Sequence, residues 1–508
     1  MNFDDPFTGY SALLRTIVYV VVPGVTVLQF IRLRRALHVY QLEGYRRTRF
    51  LEWTSAHRDR ARWLSPGTSK KPLVMTGRAW RILVTATLLV PVLILVPAGI
   101  AHVLLGGWPV DVIVWAVAMG LVVSLTSHVL VAADLLLRPI QAAINRSYLR
   151  RAQRKLADVS PVVIGVTGSF GKTSTKFAIG KFLDDALATP GSFNTPLGVC
   201  RTINEELAAN HRFFVVEMGA YGVGEIAELC RFVRPSIGVL TAIGPAHLER
   251  FGSLDAVRRA KYELIESLPD DGVAVMNVDD LIVRELADST RGVQIVRYGL
   301  DGAGRPDITA TGVRVGPDGS SFTIEDRRTG GAVDVETRLL GRYAIGHVLA
   351  GAAVALSAGR ALADLRSAIS ELTAVEHRLQ LIAGAGGVTV IDDAYNSNPD
   401  GAAAALEVLE AIPGKNKVVV SPGIIELGSE QVAANERFGR RAAEVADYLI
   451  VVAKLNRDAI TSGASQASNG AQVVTVDTLD DATTKLQTIL GPGDVVLFEN
   501  DLPDQYEG

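Results

Sequence analysis

The chain has 508 residues, a formal net charge of −3 and a mean hydropathy of +0.25. That length accommodates about three domains, and the near-neutral charge argues against nucleic acid as a partner. Its two cysteines, Cys200 and Cys230, provide neither a disulfide framework nor a cysteine metal cluster, which fits a reducing compartment for the globular part.

Long apolar segments dominate the chain before residue 140. Three are long enough to cross a bilayer, and we predict transmembrane helices at about 12–31, 82–107 and 112–133. The last two are expected to form a hairpin that turns at 106–109. A cleaved signal peptide fits poorly, because acidic residues precede the first segment and no small-residue cleavage site follows it. The alternative for the hairpin is a buried core of a soluble protein.

Basic residues predict the orientation of these segments. They are concentrated between Arg32 and Arg81 and again from Arg138 to Lys155, whereas the N-terminal tail carries Asp4. The positive-inside rule then places the N-terminus outside and everything after the third segment in the cytoplasm. The chain is therefore expected to be a multi-pass protein of the cell membrane. The basic segments act as topology signals or, alternatively, hold an anionic lipid-linked substrate.

The pattern becomes α/β from Pro161 onward. Apolar strands at 213–216, 237–242 and 273–276 alternate with helical stretches, which predicts a mostly parallel sheet covered on both faces. Residues 312–340 are expected to form an antiparallel flap on the same domain, followed by helices at 343–357 and 361–372. A second α/β unit starts near Gly387, and its expected strands are 388–391, 417–420, 448–452 and 495–498.

The predicted fold class is therefore α/β, with N-terminal transmembrane helices, a P-loop central domain with a mostly parallel sheet, and a smaller Rossmann-like α/β C-terminal domain. The expected domain bounds are 1–155 for the membrane region, 156–375 for the central domain and 376–508 for the C-terminal domain.

A glycine-rich turn connects a predicted strand at 161–166 to a predicted helix at 177–187. Gly168 and Gly171 allow the backbone to fold tightly, so that its N–H groups and the positive end of the helix dipole face one anion. Lys172 is then expected to reach the β- and γ-phosphates of a nucleotide, and the Thr173 hydroxyl to bind Mg²⁺.

One position of this loop departs from the usual P-loop pattern. Val166 stands where glycine is usual, and the pattern here is Gly165-x-Thr167-Gly168-x-x-Gly171-Lys172-Thr173, followed by Ser174. The alternative is an ordinary turn between a strand and a helix. We predict a nucleotide site, because a Gly-Lys-Thr sequence follows an apolar strand.

Three further side chains follow the later strands. Glu217 closes the strand FFVVE, and a carboxylate at the carboxyl end of a parallel strand is a natural Mg²⁺ ligand. His247 follows the next strand, and Lys261 lies on the helix after it. The alternatives are a solvated strand end for Glu217, a surface or capping residue for His247 and a solvated lysine for Lys261.

Taken in order, the motifs of residues 160–501 resemble those of the Mur ligases, and most closely the D-alanyl-D-alanine-adding (MurF-type) enzymes of peptidoglycan synthesis. The motifs that carry the resemblance are TGxxGKT, VEMGA, GPAHLERFGS with its following AK-E, NVDD and DDAYNSNPD. The resemblance implies an ATP-dependent ligase. In that family, a carboxylate attacks the γ-phosphate to give an acyl phosphate, and an amine then displaces the phosphate.

The resemblance also implies a role for each of the matching residues. Lys172 and the loop amides would stabilise the transferring phosphoryl group. Thr173 and Glu217 would hold one Mg²⁺, and His247 a second ion, for which Mn²⁺ is also compatible. Lys261 matches the family lysine that CO₂ carbamylates, which would give the second metal an anionic ligand.

The nucleotide would be contacted from three further positions. Asn277 matches a residue that contacts adenine, whereas Arg378 and Asp393 match residues that reach the nucleotide from the domain boundary and from the C-terminal domain. Closure of that domain would then exclude water from the acyl phosphate.

Several segments depart from the family pattern. Membrane segments stand in place of the domain that holds the UDP-sugar. The family's Gly-x-His-Asn-x-x-Asn, Gly-Asp-Met and Lys-Gly-Ser sequences are replaced at 341–347, 422–424 and 498–501. The sequence therefore specifies neither the carboxylate acceptor nor the amino acid.

Three hypotheses follow from these features. The first is a membrane-anchored ligase that joins a cell-envelope or lipid-linked carboxylate to an amino acid or short peptide. The second is a polymer-forming ligase similar to poly-γ-glutamate synthases, and the third is a non-catalytic, nucleotide-binding membrane scaffold. Lys172, Glu217, His247 and Lys261 argue against the scaffold, because binding alone requires no second metal site. The lipid bilayer is the expected partner, and no protein partner is specified.

Overall fold

The computed structural model describes residues 17–56, 72–105, 110–300, 302, 304–316, 318–468 and 470–501. The chain divides into two compact units, residues 1–147 and 148–508. The acidic N-terminal tail, the start of the first predicted span and the predicted hairpin turn at 106–109 lie outside the described residues.

The first unit is helical. After a π-helical turn, Ile17–Val21, its helices are α1 (Val22–Leu42), α2 (Arg47–Ala56), α3 (Gly77–Leu105), α4 (Val110–Ser124) and the first part of α5 (Thr126–Val159). Leu33 and Leu37 of α1 share a buried core with Ile82 and Val90 of α3. The exposed part of α3 is also apolar, with Leu88 64% exposed.

Two helices are long and apolar enough to cross a membrane by length and composition, 77–104 and 126–159. The helix predicted over 112–133 is divided at one residue, Leu125, where α4 ends and α5 begins, although Leu125 N–H donates to the Leu121 carbonyl at 2.8 Å and Val129 N–H to the Leu125 carbonyl at 3.0 Å. The Thr126 hydroxyl lies 2.8 Å from the carbonyl oxygen of Val123 and 3.0 Å from Oε1 of the buried Gln29. Hydrogen bonds of a threonine to the preceding turn bend helices.

The second unit contains two sheets. The strands and helices of its first part are β1 (Val162–Thr167), α6 (Lys172–Phe182), β2 (Ala186–Ala188), α7 (Pro196–Glu205), β3 (Phe213–Glu217), α8 (Glu225–Val233), β4 (Ile237–Leu240), α9 (Leu248–Phe251), α10 (Leu254–Glu266), β5 (Val273–Asn277), α11 (Leu281–Ser289), β6 (Gln294–Gly299), β7 (Ile308–Gly316), β8 (Gly319–Asp326), β9 (Gly331–Thr337), α12 (Gly341–Ser357) and α13 (Leu365–Ser370).

The nine strands of the first sheet lie in the order β2-β3-β1-β4-β5-β6-β7-β8-β9. Strands β2 to β7 pair in parallel, and β7, β8 and β9 pair antiparallel. The mostly parallel sheet and its antiparallel segment are confirmed, but the antiparallel strands continue the sheet and do not form a separate flap. The predicted helix 177–187 is too long at its C-terminal end, because Leu187 lies in β2; the chain turns at Asp185, whose φ is +58°.

The last part of the unit forms the second sheet. Its elements are β10 (Gln380–Ala383), β11 (Thr389–Asp393), α14 (Pro399–Ala411), β12 (Lys417–Ser421), α15 (Gln431–Val445), β13 (Tyr448–Val452), α16 (Arg457–Ala464), β14 (Gln472–Val476), α17 (Leu479–Ile489) and β15 (Val495–Glu499). The order is β10-β11-β15-β12-β13-β14, and all neighbours pair in parallel except β10 with β11. Short 3₁₀ turns lie at Leu362–Asp364, Ala385–Gly387 and Gly428–Glu430.

Candidate active site

A cavity of about 380 Å³ lies between the carboxyl ends of the two sheets' strands. Its lining includes eight of the residues that the sequence predicts for the site, namely Gly171, Lys172, Thr173, Ser174, Glu217, His247, Arg378 and Asp393. The ends of parallel strands meet at one edge of a sheet, which is why residues so far apart in the chain converge here. Thr167, Gly168, Asn277 and Lys261 lie outside this lining.

The loop after β1 requires glycine at two positions. Gly168 has a φ of +151°, and a Cβ added there would lie 2.0 Å from the Thr241 hydroxyl. Gly171 has a φ of +78° and caps α6, and a Cβ there would lie 2.7 Å from the His347 ring. The loop is therefore folded tightly against its neighbours, and the N-terminus of α6 opens toward the cavity as an anion site.

Lys172 begins α6 and folds back over the loop. Its Nζ donates to the carbonyl oxygens of Gly168 at 2.8 Å and of Ser169 at 3.2 Å. Desolvation lowers the pKa of Lys172, while Glu217 raises it and Arg378 lowers it further. A cation held in this way can act on a phosphoryl group without a large reorganisation.

Glu217 ends β3 in a buried hydrogen-bonding group. The Thr173 hydroxyl donates to its Oε2 at 3.0 Å, and Lys176 Nζ lies 3.3 Å from the same oxygen. Asn194 donates to Oε1 at 3.4 Å. The solvated strand end considered from the sequence is therefore wrong, because Glu217 is 1% exposed.

His247 lies in a left-handed backbone conformation, with a φ of +54°, directly before the short helix α9. Its Nδ1 contacts a carboxylate oxygen of Glu426, which follows β12, and its ring packs edge-on against Tyr221 with centroids 4.9 Å apart. Arg250 also approaches Glu426, at 3.4 Å. His247 therefore joins the loop after β4 to the C-terminal sheet.

Lys261 lies on α10 and is 3% exposed, so the solvated lysine considered from the sequence is wrong. Its Nζ lies 5.7 Å from the centroid of the Phe251 ring. Burial, and then the nearby charge of Lys172, lower the pKa of Lys261 to about 7, while Glu225 and Glu263 oppose the shift. A substantial fraction of its amine is therefore uncharged at neutral pH.

The remaining predicted residues occupy different surroundings. Thr167 is fully buried and donates to the carbonyl oxygen of Met218 at 2.8 Å, so its hydroxyl supports the strand end. Asn277 donates to the Thr241 carbonyl at 2.8 Å. Arg378 lies over the Tyr395 ring at 4.4 Å, and desolvation raises the pKa of Asp393 to about 6, against the effect of Arg378.

The donor atoms of Thr173 and Glu217 fit one magnesium ion. A hydroxyl and a carboxylate oxygen 3.0 Å apart are hard ligands at the edge of the phosphate loop. Among the described residues, no cluster of three or more His, Cys, Asp and Glu side chains could hold a metal by itself. A second ion at His247 would have the Glu426 carboxylate beside it, and a carbamate on Lys261 would add a further anionic ligand.

Comparison with known proteins decides the family. The Mur ligase middle domain matches residues 166–355, and the Mur ligase glutamate ligase domain matches residues 377–499. The UDP-N-acetylmuramoyl-tripeptide–D-alanyl-D-alanine ligase of Mycobacterium leprae is 33% identical over 366 residues, which are 66% of this chain and 70% of that protein. This chain belongs to the Mur ligase family. It is an ATP-dependent ligase that forms amide bonds.

Other Mur ligases show the same similarity. The enzyme of the same name from Escherichia coli K12 is 35% identical over 283 residues, or 55% of this chain and 62% of that one. The MurF ligase of Thermotoga maritima, solved in complex with ADP, superposes with a TM-score of 0.63 at 26% identity and covers 71% of this chain and 81% of its own. A MurF structure from Acinetobacter baumannii gives 0.62 at 28% identity, with coverages of 70% and 77%.

Four features of this Mur ligase site escaped the sequence analysis. Lys176 contacts Glu217, and Glu426 contacts His247. Of these two, only Lys176 gave a signal in the sequence, because it lies one helical turn after Lys172. His347 lies 3.1 Å from the Thr175 hydroxyl, and burial lowers its pKa to about 4, so the ring is neutral at pH 7. The fourth feature is a buried carboxyl, Glu499, behind Ser397.

Proposed function

We propose that this Mur ligase is anchored in the cell membrane and joins a carboxylate on a cell-envelope precursor to an amino acid or short peptide through an acyl phosphate. The observation that carries the ligation is that Lys172, Thr173, Glu217, Arg378 and Asp393 line one and the same cavity. A carboxylate bound beside a γ-phosphate there is shielded by both sheets.

The proposal of an anchor rests on the helices of the first unit. The 29 residues of α3 span about 43 Å, against a hydrocarbon thickness of about 30 Å. Val84, Leu88, Val92 and Val96 repeat at helical spacing and are exposed. Soluble proteins rarely leave an apolar stripe of that length in water, and lipid tails would cover it. We infer that the N-terminus is outside the cell and that the catalytic domains are in the cytoplasm, where ATP is available.

The same proposal assigns the parts of the chain. Residues 1–155 are the membrane region, 156–375 the ATP-binding central domain and 376–508 the C-terminal domain that supplies the amine side of the cleft. Both family matches begin after residue 165. A precursor carried by a membrane lipid would therefore present its carboxylate without a separate UDP-sugar-binding domain.

We propose the following roles within the site. Lys172 and the amides of Gly168, Gly171 and Ser174 stabilise charge on the transferring phosphoryl group. Thr173 and Glu217 hold Mg²⁺, and His247 with carbamylated Lys261 holds a second ion, for which Mn²⁺ can substitute. Thr167 holds the loop through Met218, Asn277 contacts adenine, and Arg378 and Asp393 contact the nucleotide from the other side. When bound, the metal neutralises phosphate charge.

The substrates of the relatives define the first compounds to test. The full-length protein in detergent, with ATP and Mg²⁺ or Mn²⁺, is given two carboxylates, UDP-N-acetylmuramoyl-tripeptide and a lipid-linked precursor extract from bacterial membranes. Each is combined with D-alanyl-D-alanine and with single amino acids, and product masses are followed. A single adduct on the lipid-linked material supports the proposal.

The other outcomes separate the alternatives. A ladder of added glutamates would instead assign a polymer-forming ligase. Nucleotide binding without ADP formation in any mixture would assign a scaffold and remove the ligase proposal.

A further inference from the structure

A buried carboxyl group, that of Glu499, lies at the end of β15, which runs between β11 and β12 in the C-terminal sheet. Glu499 is 1% exposed, and in the parallel register of β11 and β15 it pairs with Asp393, which lines the cavity. A carboxylate removed from water in this way requires hydrogen-bond donors. None of the roles proposed above uses this group.

Two serine hydroxyls donate to Glu499. Ser397 contacts its Oε1, and Ser421 donates to its Oε2 at 2.8 Å. The two serines differ in their access to the cleft. Ser397 lines the cavity together with Lys172, whereas Ser421 is fully buried at the end of β12. The Ser397 hydroxyl therefore connects Glu499 to the cavity, and the Ser421 hydroxyl bonds to Glu499 from the protein interior.

The charges around Glu499 favour an easily exchanged proton. Burial raises the pKa of Glu499 to about 7, and Asp393 on β11 raises it as well, while the two serines oppose the shift. The charge of Arg378 in turn lowers the pKa of Asp393. Glu499 is therefore a buried acid that can both accept and release a proton near neutral pH.

Amide formation creates a proton that must be removed. In the ligation proposed above, a neutral amine attacks the acyl carbon, the C–N bond forms, and the C–O bond to phosphate breaks with its electron pair leaving on phosphate. The nitrogen then carries one proton more than the amide does. A hydroxyl at the cavity wall with a carboxylate behind it can take that proton without exposing a charge to the acyl phosphate.

We propose that Ser397 accepts the proton of the attacking amine while its own hydroxyl proton passes to Glu499. Ser397 contacts the amine, and Glu499 is a positioning residue that acts through it. This inference rests on the proposed ligase function. It assigns the part of the cavity wall around Ser397 to the amine.

The test separates the formation of the acyl phosphate from the transfer to the amine. The full-length protein in detergent receives Mg²⁺-ATP, the two carboxylates named above and either hydroxylamine or an amine, the latter being D-alanyl-D-alanine or a single amino acid. Hydroxylamine is largely uncharged at neutral pH and traps the acyl phosphate as a hydroxamate without help from a base. Glu499→Gln should keep the parental hydroxamate rate and lose about 10²-fold in amide formation.

The two serines supply a matched pair of variants. Ser397→Ala should lose amide formation as Glu499→Gln does, while Ser421→Ala, which removes the interior hydroxyl and leaves Ser397 in contact with Glu499, should lose less than Ser397→Ala. The ratio of the parental amide rate to the hydroxamate rate, in which the pH dependence of acyl phosphate formation cancels, should also fall as the pH drops below about 7, where Glu499 becomes protonated, and the fall should be smaller in Glu499→Gln.

Each other result overturns the proposal. A parental amide rate in Glu499→Gln, equal losses in the two serine variants, or an equal loss of hydroxamate and amide in Glu499→Gln would each remove the relay and leave the ligase function intact. A parent protein that forms hydroxamate but joins none of the amines removes the relay too, because no amine proton is then passed. A parent that forms no hydroxamate with either carboxylate overturns the ligase proposal, and the relay with it.

Discussion

Lys176 Nζ lies 3.3 Å from Glu217 Oε2, and both side chains are buried. The carboxylate that we expect to bind Mg²⁺ is therefore fixed by a cation from the same helix that carries Lys172 and Thr173. The helix α6 thus provides the anion site at its N-terminus and, one turn later, the partner that orients the metal ligand.

Replacing Lys176 with methionine should destabilise the fold. The variant leaves the Glu217 carboxylate buried without its cation, and breaking one side of a buried pair costs about 3–5 kcal/mol. The loss is measured from urea unfolding of the full-length protein in detergent. Lys181→Met is the control, since Lys181 lies on the same helix in an exposed pair with Glu371 and should leave the unfolding curve unchanged. Equal curves for both variants would contradict the role assigned to Lys176.

Replacing Lys172 with alanine should abolish catalysis and spare the fold. Lys172 contacts only loop carbonyl oxygens among the hydrogen bonds described, so its removal leaves no buried charge unpaired. Loss of a group that stabilises transition-state charge lowers turnover by about 10²–10³-fold. Phosphate release is measured together with membrane insertion and the unfolding curve. Normal turnover in Lys172→Ala would remove the interpretation of this loop as a phosphate site.

The part of this site that the sequence predicted is the part built from contiguous residues. The strand β1, its glycine turn and Lys172 are adjacent in the chain, and the apolar run, the glycines and the helical spacing are each visible there. Glu217 was predictable because a polar residue ends a buried apolar strand.

Contacts between distant segments could not be predicted in this way. His247 and Glu426 are 179 positions apart, and their meeting depends on how the two sheets are placed. At the junction of α4 and α5, the Thr126 hydroxyl bonds to Gln29, which lies almost a hundred positions earlier in the chain. Local periodicity does not contain that information.

The orientation of the membrane region can be tested by cysteine labelling. Cysteines at Asp4 and Thr68, both outside the described residues, should differ in their access to an impermeant thiol reagent added to intact cells. Asp4→Cys should be labelled and Thr68→Cys should not. The background is low, because Cys200 and Cys230 are buried and burial raises the pKa of each thiol to about 11. Labelling at Thr68 alone would reverse the orientation and place the ATP site outside.

Lys261 gives the sharpest test of the metal chemistry. A carbamate forms from the neutral amine, and the pKa of about 7 makes that form available: the neutral fraction rises as the pH increases through 7. Activity limited by this modification should therefore increase with pH over that range and with added bicarbonate. The carbamate itself is detected as a ¹³C signal after incubation with labelled bicarbonate, and the signal should be absent in Lys261→Ala.

Two variants of Lys261 distinguish a carbamate from a simple cation. Lys261→Ala should lose most activity, and short carboxylic acids should restore part of it, because they can occupy the position of the anion that the carbamate would supply. Lys261→Arg keeps a positive charge but cannot bind CO₂, so it should fail as well. The unfolding curve is recorded for both variants, since a buried guanidinium also costs stability at a site where Lys261 is 3% exposed. If Lys261→Arg folds and turns over as the parent does, Lys261 acts as a cation beside Lys172 and supplies no anion to a metal at His247.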